Sequence, residues 1–355
     1  MQKKRLSIIL GAVCATLALI MLASLVACSE STPSPSPSPT PTSSPTAQPP
    51  AEPVTLEWVS FVPSTSSTIA GIEKTFINKV VESAAGDIVI NYRGGPESIP
   101  NQDLPVAVQA GVIDLAVTTY GDYESLVHGA NGAILTQISL EEERKPGGAY
   151  DYLVELHKSA GLFYLGRGVK TAEGFFRLAL NKKVETQEDF TGLMIGGGPS
   201  ARAPAVGWGA TYSAVNLPEF YTAMERGMVD GIAGAAVSTW FNSGVYEVTK
   251  YMLDHPYYES SVSIIMNLDS WNQLPQNLQN IMMESIISSE KEQIALYAET
   301  EAQLIQKIKD GGVEFYKLSP DVAEWYVKTA YDAAWDYQQE RFPEETQKLR
   351  ELLSK

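Results

Sequence analysis

Residues 177–240 read RLALNKKVETQEDFTGLMIGGGPSARAPAVGWGATYSAVNLPEFYTAMERGMVDGIAGAAVSTW, and this stretch alternates short apolar runs with helix-starting signals. One apolar run leads into three glycines, Gly196–Gly198, and Ser200 behind them can cap a helix. Asn216 can cap the next helix, and the apolar run from Val229 reads as the following strand. This alternation predicts a mostly parallel α/β sheet, which binds ligands beyond the carboxyl ends of its strands.

The composition argues against nucleic-acid binding and shows no common catalytic signature. The chain has 355 residues, enough for two domains, and a net charge of −16, whereas nucleic acid requires a basic face. It contains no His-Glu-x-x-His, Gly-x-Ser-x-Gly, Walker or Cys-x-x-Cys motif. Its three histidines are not paired at metal-ligand spacing. We therefore expect a protein that is not an enzyme and that uses no cofactor and no metal.

The first 27 residues have the pattern of an export signal. Lys3, Lys4 and Arg5 precede an apolar run that ends Leu-Val-Ala before Cys28. This order predicts a lipoprotein signal peptide over 1–27, cleavage before Cys28, and acylation of that cysteine. An uncleaved transmembrane anchor is the alternative, because the run is nearly long enough to span a bilayer. Either reading places the rest of the chain outside the cytoplasmic membrane, in the periplasm or at the cell surface, tethered to the membrane.

Residues 28–53 are almost wholly serine, proline and threonine, and this composition predicts an extended linker. The folded part begins near Val54. Strands are predicted at 55–62, 88–92 and 113–118, with helices at 69–84 and 104–110 between them.

A helix-glycine-strand unit occurs twice in the chain. Gln109–Asp114 closes one helix and opens a strand, and Glu225–Asp230 does the same. The repetition suggests two similar α/β lobes. A long apolar-periodic segment from Pro275 to Asp310 predicts a helix of roughly 50 Å at 1.5 Å per residue, long enough to bridge both lobes.

Seven short motifs resemble, in the same order, those of the extracytoplasmic solute-binding proteins of tripartite ATP-independent periplasmic (TRAP) transporters. Each motif is weak alone, but their shared order is specific, and the resemblance runs from about Val54 to the end of the long helix. The matching segments are Gly94–Glu97, Gly111–Leu115, Glu188–Ile195, Gly209–Ala210 with Glu219–Gly231, Tyr246–Tyr251, Asn267–Trp271 and Leu274–Pro275.

The resemblance implies a clamshell of two α/β lobes, joined by hinge strands and the long bridging helix. Lobe I would comprise residues 54–174 and about 262–300, and lobe II residues 175–261 and about 301–355. The family usually holds an organic acid and delivers it to TRAP membrane permease subunits. Its main anchor is an arginine at the position of Gly196, so this chain departs from the pattern there, whereas a second family arginine matches Arg177.

Twelve residues are candidates for ligand contact: Arg177, Gly196, Gly197, Ser200, Arg202, Trp240, Phe241, Tyr120, Tyr123, Phe61, Ser64 and Glu97. An arginine fork matches a carboxylate, and a glycine loop at a helix start can bind an anion through backbone N–H groups. The aromatic residues follow predicted strands and could form the wall of a site. Each candidate has a structural alternative: an edge arginine, a plain turn, core packing, or a solvated loop carboxylate.

These observations favour a binding protein that captures a small solute for a TRAP-type transporter. Without the arginine at Gly196, either the glycine loop and Arg177 hold a carboxylate or the cleft takes a less charged solute. A ligand sensor that presents its solute to a membrane receptor would use the same clamshell. A hydrolase or lyase would require a paired acid and base, which the sequence does not show.

Overall fold

The structure, a computed structural model, describes residues 52–171 and 174–354. The predicted signal peptide, Cys28 and nearly all of the linker lie outside the described residues. The described strands are β1 Val54–Ser60, β2 Ile88–Tyr92, β3 Leu115–Thr119, β4 Leu162–Lys170, β5 Arg177–Leu180, β6 Met194–Gly197, β7 Thr211–Ala214, β8 Gly231–Ala235, β9 Tyr251–Leu253, β10 Ser260–Asn267 and β11 Glu314–Tyr316.

The strands form two sheets. The first has the order β2-β1-β3-β10-β4, and the second has the order β11-β9-β5-β8-β6-β7. In the first sheet β1 pairs in parallel with β2 and β3, whereas β10 is antiparallel to both of its neighbours. In the second sheet β8, β6 and β7 are parallel, and β5 is antiparallel to β8 and β9. Both sheets are therefore mixed, with a parallel portion in each.

The helices pack on these sheets: α1 Ser67–Ile72, α2 Asn78–Ser83, α3 Leu104–Gln109, α4 Leu140–Glu143, α5 Ala149–Ser159, α6 Pro199–Gly207, α7 Phe220–Glu225, α8 Val237–Asn242, α9 Leu268–Gln273, α10 Gln276–Asp310, α11 Pro320–Arg341 and α12 Pro343–Leu353. A π-helical turn, Glu73–Ile77, joins α1 to α2 without a break. All nine residues of β4 are buried, as expected of a strand covered on both faces.

The chain passes between the sheets twice through strand-like segments. Phe176 forms an antiparallel bridge with Tyr257, and the Phe175 backbone N–H donates to the carbonyl of Tyr258 at 2.5 Å. The four aromatic rings of this crossing are buried and pack edge-on against one another. These paired segments join the sheets at one edge of the space between them.

The long helix α10 has 35 residues and contacts both halves of the chain. Ile286 is buried beside Gly166 of β4 in the first sheet, and Ile308 is buried in the core cluster that holds β8 residues of the second. The predicted helix over 275–310 and its bridging position agree with this arrangement.

The motif segment Tyr246–Tyr251 falls in a 3₁₀ turn, Val245–Val248, and the start of β9, whose backbone pairs with β5 and β11. The end of the chain differs from its prediction. Residues 301–355 are predicted in lobe II, but α12 packs on the first half, where the Gln137 backbone N–H donates to the Leu353 carbonyl at 2.8 Å. No helix within 52–171 and 174–354 is long and apolar enough to cross a membrane.

Candidate functional site

A cavity of about 800 Å³ lies between the two sheets. Its walls come from the loops that follow the carboxyl ends of β1, β2 and β3 in the first sheet and of β6, β7 and β8 in the second. Phe175 and Phe176 of the crossing segment also line it. Ligands of α/β sheets bind at this end of the strands, so the cavity is the candidate site.

Local sequence positions these loops. Ser66 caps α1, and its hydroxyl accepts from the Thr68 backbone N–H at 3.3 Å. Asn216 and Glu219 form a capping box at the start of the turn that leads into α7. Gly234 has a φ of +72°, and a Cβ there would lie 2.8 Å from the Ser200 hydroxyl. A larger residue at 234 would therefore clash where β8 meets the start of α6.

Neutral polar side chains dominate the lining. Those described are Thr65, Ser66, Thr68, Asn101, Thr119, Asn131, Ser200, Tyr221, Ser238, Thr239, Asn242 and Ser243. Four phenylalanines, Phe61, Phe175, Phe176 and Phe220, add apolar surface. Hydroxyls and amides both donate and accept hydrogen bonds, so the wall can meet a solute rich in either kind of group.

Asp122 is the one charged side chain among the described residues that line the cavity, and none of them is Lys, Arg or His. Burial raises the pKa of Asp122, while hydrogen bonds from Thr119 and Thr118 act in the opposite direction. The Thr118 hydroxyl lies 3.5 Å from the Asp122 carboxylate. Within the described part of the chain, Asp122 forms no ion pair. Its carboxylate is thus a hydrogen-bond acceptor without a neutralising cation.

Asn101 supplies an acceptor without a partner. The residue lines the same cavity, and its buried Oδ1 atom has no hydrogen-bond partner among the residues described. A buried polar group without a partner is unfavourable, so this atom favours a donor from a bound molecule.

Two of the twelve predicted contact residues, Phe61 and Ser200, line the cavity. The other ten do not: Arg177, Gly196, Gly197, Arg202, Trp240, Phe241, Tyr120, Tyr123, Ser64 and Glu97. Most of these ten lie within a few residues of a lining position.

The turn after β3 shows how neighbouring positions exchange roles. Tyr120 and Tyr123 are fully buried, and their hydroxyls bond to Tyr164 at 2.7 Å and Ser263 at 2.9 Å respectively. Asp122 of the same 3₁₀ turn, Tyr120–Tyr123, and Thr119 at the end of β3 line the cavity instead. The two tyrosines of this turn therefore pack in the core, whereas Thr119 and Asp122 line the cavity.

The remaining aromatic and surface predictions have structural surroundings. Trp240 is fully buried and stacks on Phe220, with ring centroids 6.3 Å apart. Phe241 stacks on Tyr246 at 5.4 Å. Ser64 is exposed.

Glu97 and Arg202 also contact other groups. Glu97 accepts from the Gly95 backbone N–H at 2.6 Å, and this bond lowers the pKa of the Glu97 carboxyl. The Arg202 guanidinium lies over the rings of Tyr212 and Tyr337, at 5.9 and 5.8 Å from their centroids.

A family model described as bacterial extracellular solute-binding protein, family 7, matches residues 141–341, more than half of the chain. The chain belongs to this family. It is therefore a binding protein that captures a small solute outside the cytoplasm.

Relatives agree with this membership. A monocarboxylate 2-oxoacid-binding periplasmic protein of Nostoc sp. is 21% identical over 294 residues, covering 79% of this chain and 77% of the relative. A TRAP periplasmic solute-binding protein of Marinobacter aquaeolei, in an apo open structure, has a TM-score of 0.74 and 20% identity, covering 85% of this chain and 100% of that one.

A TRAP periplasmic solute-binding protein of Sulfitobacter sp., solved with bound β-D-galacturonate, has a TM-score of 0.68 and 18% identity, over 85% of this chain and 100% of that one. These likenesses confirm the predicted two-lobe α/β fold.

Gly196 and Arg177 are the two positions that correspond to the family arginines, and both lie outside the cavity lining. A Cβ at Gly196 would lie 3.0 Å from both Val215 and Val229, inside the core of the second sheet. A Cβ at Gly197 would lie 2.5 Å from that of Ala201. The lining residue of the glycine loop is Gly198, whose Cβ would meet nothing within 4 Å.

Arg177 joins the second sheet to the long helix. Its guanidinium forms an ion pair with Glu301 of α10 and lies 3.7 Å from the Asp254 carboxylate. The side chain is 7% exposed. The structure therefore gives Arg177 a bridging role between β5 and α10.

Sequence reasoning missed Asp122, Asn101 and the polar residues of the loop after β8. Asp122 lies in the segment after the third predicted strand, and the signal that could have identified it is its position as an acid directly beyond a strand's carboxyl end. Asn101 follows a proline-rich turn between β2 and α3, and nothing in its sequence surroundings marks it. Within 52–171 and 174–354, no group of three or more His, Cys, Asp and Glu residues could hold a metal ion.

Proposed function

We propose that this solute-binding protein encloses its solute in the cavity between the two sheets and delivers it to a TRAP-type membrane permease. The observation that supports this most is the convergence of six strand-end loops, three from each sheet, on one cavity. A solute there would contact both halves and would favour the arrangement in which they are close together.

Closure would occur about the two crossing segments and α10. The crossing at Phe176 and Tyr257 is held by backbone hydrogen bonds at 3.0 Å in both directions, which would keep the segments paired while the halves rotate. Binding-energy requirements are modest, because a few directed polar contacts in a mostly preformed cavity fix a small solute.

Two solute classes are candidates. The printed names of relatives include a monocarboxylate 2-oxoacid and galacturonate, which makes organic acids the first class to test. The absence of Lys, Arg and His from the described lining favours the second class, a less charged solute.

We also propose that the protein is a lipoprotein held at the membrane through Cys28. The support is the order of basic start, apolar run and Leu-Val-Ala-Cys, with the serine- and proline-rich linker behind it. The test is fractionation: wild-type protein is expected in the membrane fraction, and Cys28→Ser protein in the soluble fraction. Equal partition of the two would contradict lipid anchoring at this residue.

Solute capture is tested by a thermal-shift panel of organic acids, amino acids, sugars and polyols. A bound solute stabilises the folded protein by mass action and so raises its melting temperature. At a solute concentration of 100 times Kd the stabilisation is about 2.7 kcal/mol. A panel without a single shift would contradict capture of a small solute of these classes.

Delivery is tested separately, with the TRAP permease reconstituted in vesicles. Uptake of the identified solute is expected only when the loaded protein is added outside the vesicles. Binding without uptake would instead support the sensor alternative, in which the loaded form docks on a membrane receptor.

A further inference from the structure

The charges around the cavity suggest which solute it takes. We infer that the solute is uncharged and polyhydroxylated, of the sugar or polyol class, and that Asp122 and Asn101 accept hydrogen bonds from its hydroxyl groups. This inference rests on the proposed function, since it names the solute class of the same cavity.

The charges of the described lining disfavour an anionic solute. A carboxylate in this cavity would face the Asp122 carboxylate, and no cation lines the described wall to balance the two charges. Like charges repel strongly in a site from which water is excluded, and an ionised group left without a partner is unfavourable there. The raised pKa of Asp122 shows that the site already disfavours one negative charge.

Arg177 and Arg202 lie near the site, and either could supply the missing cation if its side chain moved into the cavity. Arg177 is 7% exposed and is paired with Glu301. Arg202 lies on α6 two residues after the lining residue Ser200, but its guanidinium is held over two tyrosine rings. Both guanidinium groups therefore have partners outside the cavity.

Asp122 and the Asn101 Oδ1 atom both act as hydrogen-bond acceptors. The Asp122 carboxylate can only accept, and the unpartnered Asn101 Oδ1 atom can only accept as well. An ionised carboxylate cannot donate to either atom, whereas a solute hydroxyl can donate to one and accept from a neighbouring hydroxyl. The two acceptors thus select for donors on the solute.

The lining also favours a neutral solute over a cationic one. A single ammonium could pair with Asp122, but twelve neutral hydroxyl, phenol and amide side chains line the rest of the described cavity wall. Groups that both donate and accept are matched best by many hydroxyls, which do the same. The four phenylalanines offer apolar surface for the C–H faces of a sugar ring.

The experiment is titration calorimetry on the wild-type protein with compounds matched in skeleton. Each series consists of an uncharged sugar, its uronate and its amino sugar, such as galactose, galacturonate and galactosamine, or a polyol and its aldonate, such as glucitol and gluconate. We expect at least one uncharged member to bind at least tenfold tighter than its acidic and amino counterparts.

The possible outcomes separate this inference from the proposed function. Tighter binding of a carboxylate or of an amino sugar would overturn the inference and leave solute capture intact. Binding of organic acids or amino acids alone in the thermal-shift panel would have the same meaning. If no compound of either panel bound, both proposals would fail.

The variant Asp122→Asn tests the assigned acceptor. The variant keeps one acceptor oxygen but introduces a donor. We expect it to weaken binding of the uncharged solute at least tenfold and to reduce the difference in affinity between the uncharged solute and its acidic counterpart. The matched control is Asp103→Asn, the same change at an exposed aspartate that does not line the cavity. Unchanged affinity in Asp122→Asn, or an equal loss in both variants, would remove Asp122 from the site.

Discussion

The interior of this protein contains two polar regions of opposite character. Behind the first sheet, Arg167 is 1% exposed, and its Nε atom donates to Glu143 at 2.8 Å. Glu290 of α10 accepts from the Arg167 backbone N–H at 2.8 Å and forms a two-pronged pair with Arg144. The cavity between the sheets, by contrast, has one carboxylate and a wall of neutral hydroxyls and amides.

The difference separates structural charge from recognition. In the ionic region every charged side chain just named has a partner of opposite sign, and those pairs connect β4, α4 and α10. In the cavity Asp122 has no cation beside it among the described residues, and the Asn101 Oδ1 atom has no hydrogen-bond partner there, so under the proposal above both accept from the solute. The comparison thus assigns the paired buried charges to the scaffold, and the unpaired Asp122 with the neutral groups around the cavity to the proposed solute.

The largest expected effect comes from breaking the ionic region. Arg167→Met leaves the buried Glu143 carboxylate with Lys170, at 3.9 Å, as its remaining cation among the described residues, and loss of one partner of a buried pair typically costs about 3–5 kcal/mol. Urea unfolding measures the change. The control is Lys145→Met, which breaks an exposed pair with Glu142 and should change the unfolding free energy by less than about 1 kcal/mol. Similar values for the two variants would contradict the structural role of Arg167.

A pH effect of nearly the same size is expected from His157, a buried neutral base in the first half. Burial lowers the pKa of His157 to about 4, and its Nδ1–H donates to the Leu153 carbonyl at 2.6 Å. The unfolded chain binds the proton near pH 6.5, so stability should fall as the pH falls from 6.5 to about 4, by about 3 kcal/mol in total.

The measurement is the unfolding free energy of wild type and His157→Gln across that pH range. The variant lacks the ionisable ring, so its stability should depend less on pH than that of the wild type. Identical pH dependence in both proteins would show that the pKa of His157 is the same in the folded and the unfolded protein.

A smaller effect is expected where Arg177 joins β5 to α10. Arg177→Met leaves the partly exposed Glu301 carboxylate unpaired, and we expect a loss of about 2 kcal/mol, below the value for a fully buried pair. Lys183→Met, which breaks an exposed pair with Glu314, is the control and should lose less than about 1 kcal/mol. Equal stability of wild type and Arg177→Met would show that the pair with Glu301 does not form.

The smallest effect concerns two serines at corresponding loops of the two halves. Ser200 lines the cavity, and Ser64 is exposed and does not. Removing one neutral hydrogen bond costs about 0.5–1.5 kcal/mol, so Ser200→Ala should weaken solute binding by about 3- to 10-fold. Ser64→Ala should leave the affinity within twofold of wild type by calorimetry. A larger loss in Ser64→Ala would place the site elsewhere on the loop after β1.

Much of the fold follows from local sequence. The long helix was predicted over 275–310 and is observed over Gln276–Asp310, because its apolar period continues without a break until a glycine pair. The capping residue Asn216 was likewise identified from its neighbours. The antiparallel placement of β10 could not be predicted, since it depends on how the chain returns from the second sheet.

Most of the predicted contact residues lie close in sequence to residues that line the cavity, but ten of the twelve do not line it themselves. Which residues of a 3₁₀ turn face the cavity depends on the direction of the turn, and so Tyr120 was chosen where Asp122 lines the wall. The partner of Arg177 is 124 residues away in sequence, and no local pattern reveals it. Tertiary contacts of this kind decide whether a charge serves the scaffold or the solute.

The central claim is that the solute contacts Asp122 and the neutral side chains of the cavity and that the buried arginines serve the scaffold. It is tested most directly by the affinity of one identified solute for Asp122→Asn and Arg177→Met, measured by calorimetry on folded protein. The account predicts at least a tenfold loss in the first variant and less than a threefold change in the second. A hundredfold loss in Arg177→Met with unchanged affinity in Asp122→Asn would contradict it.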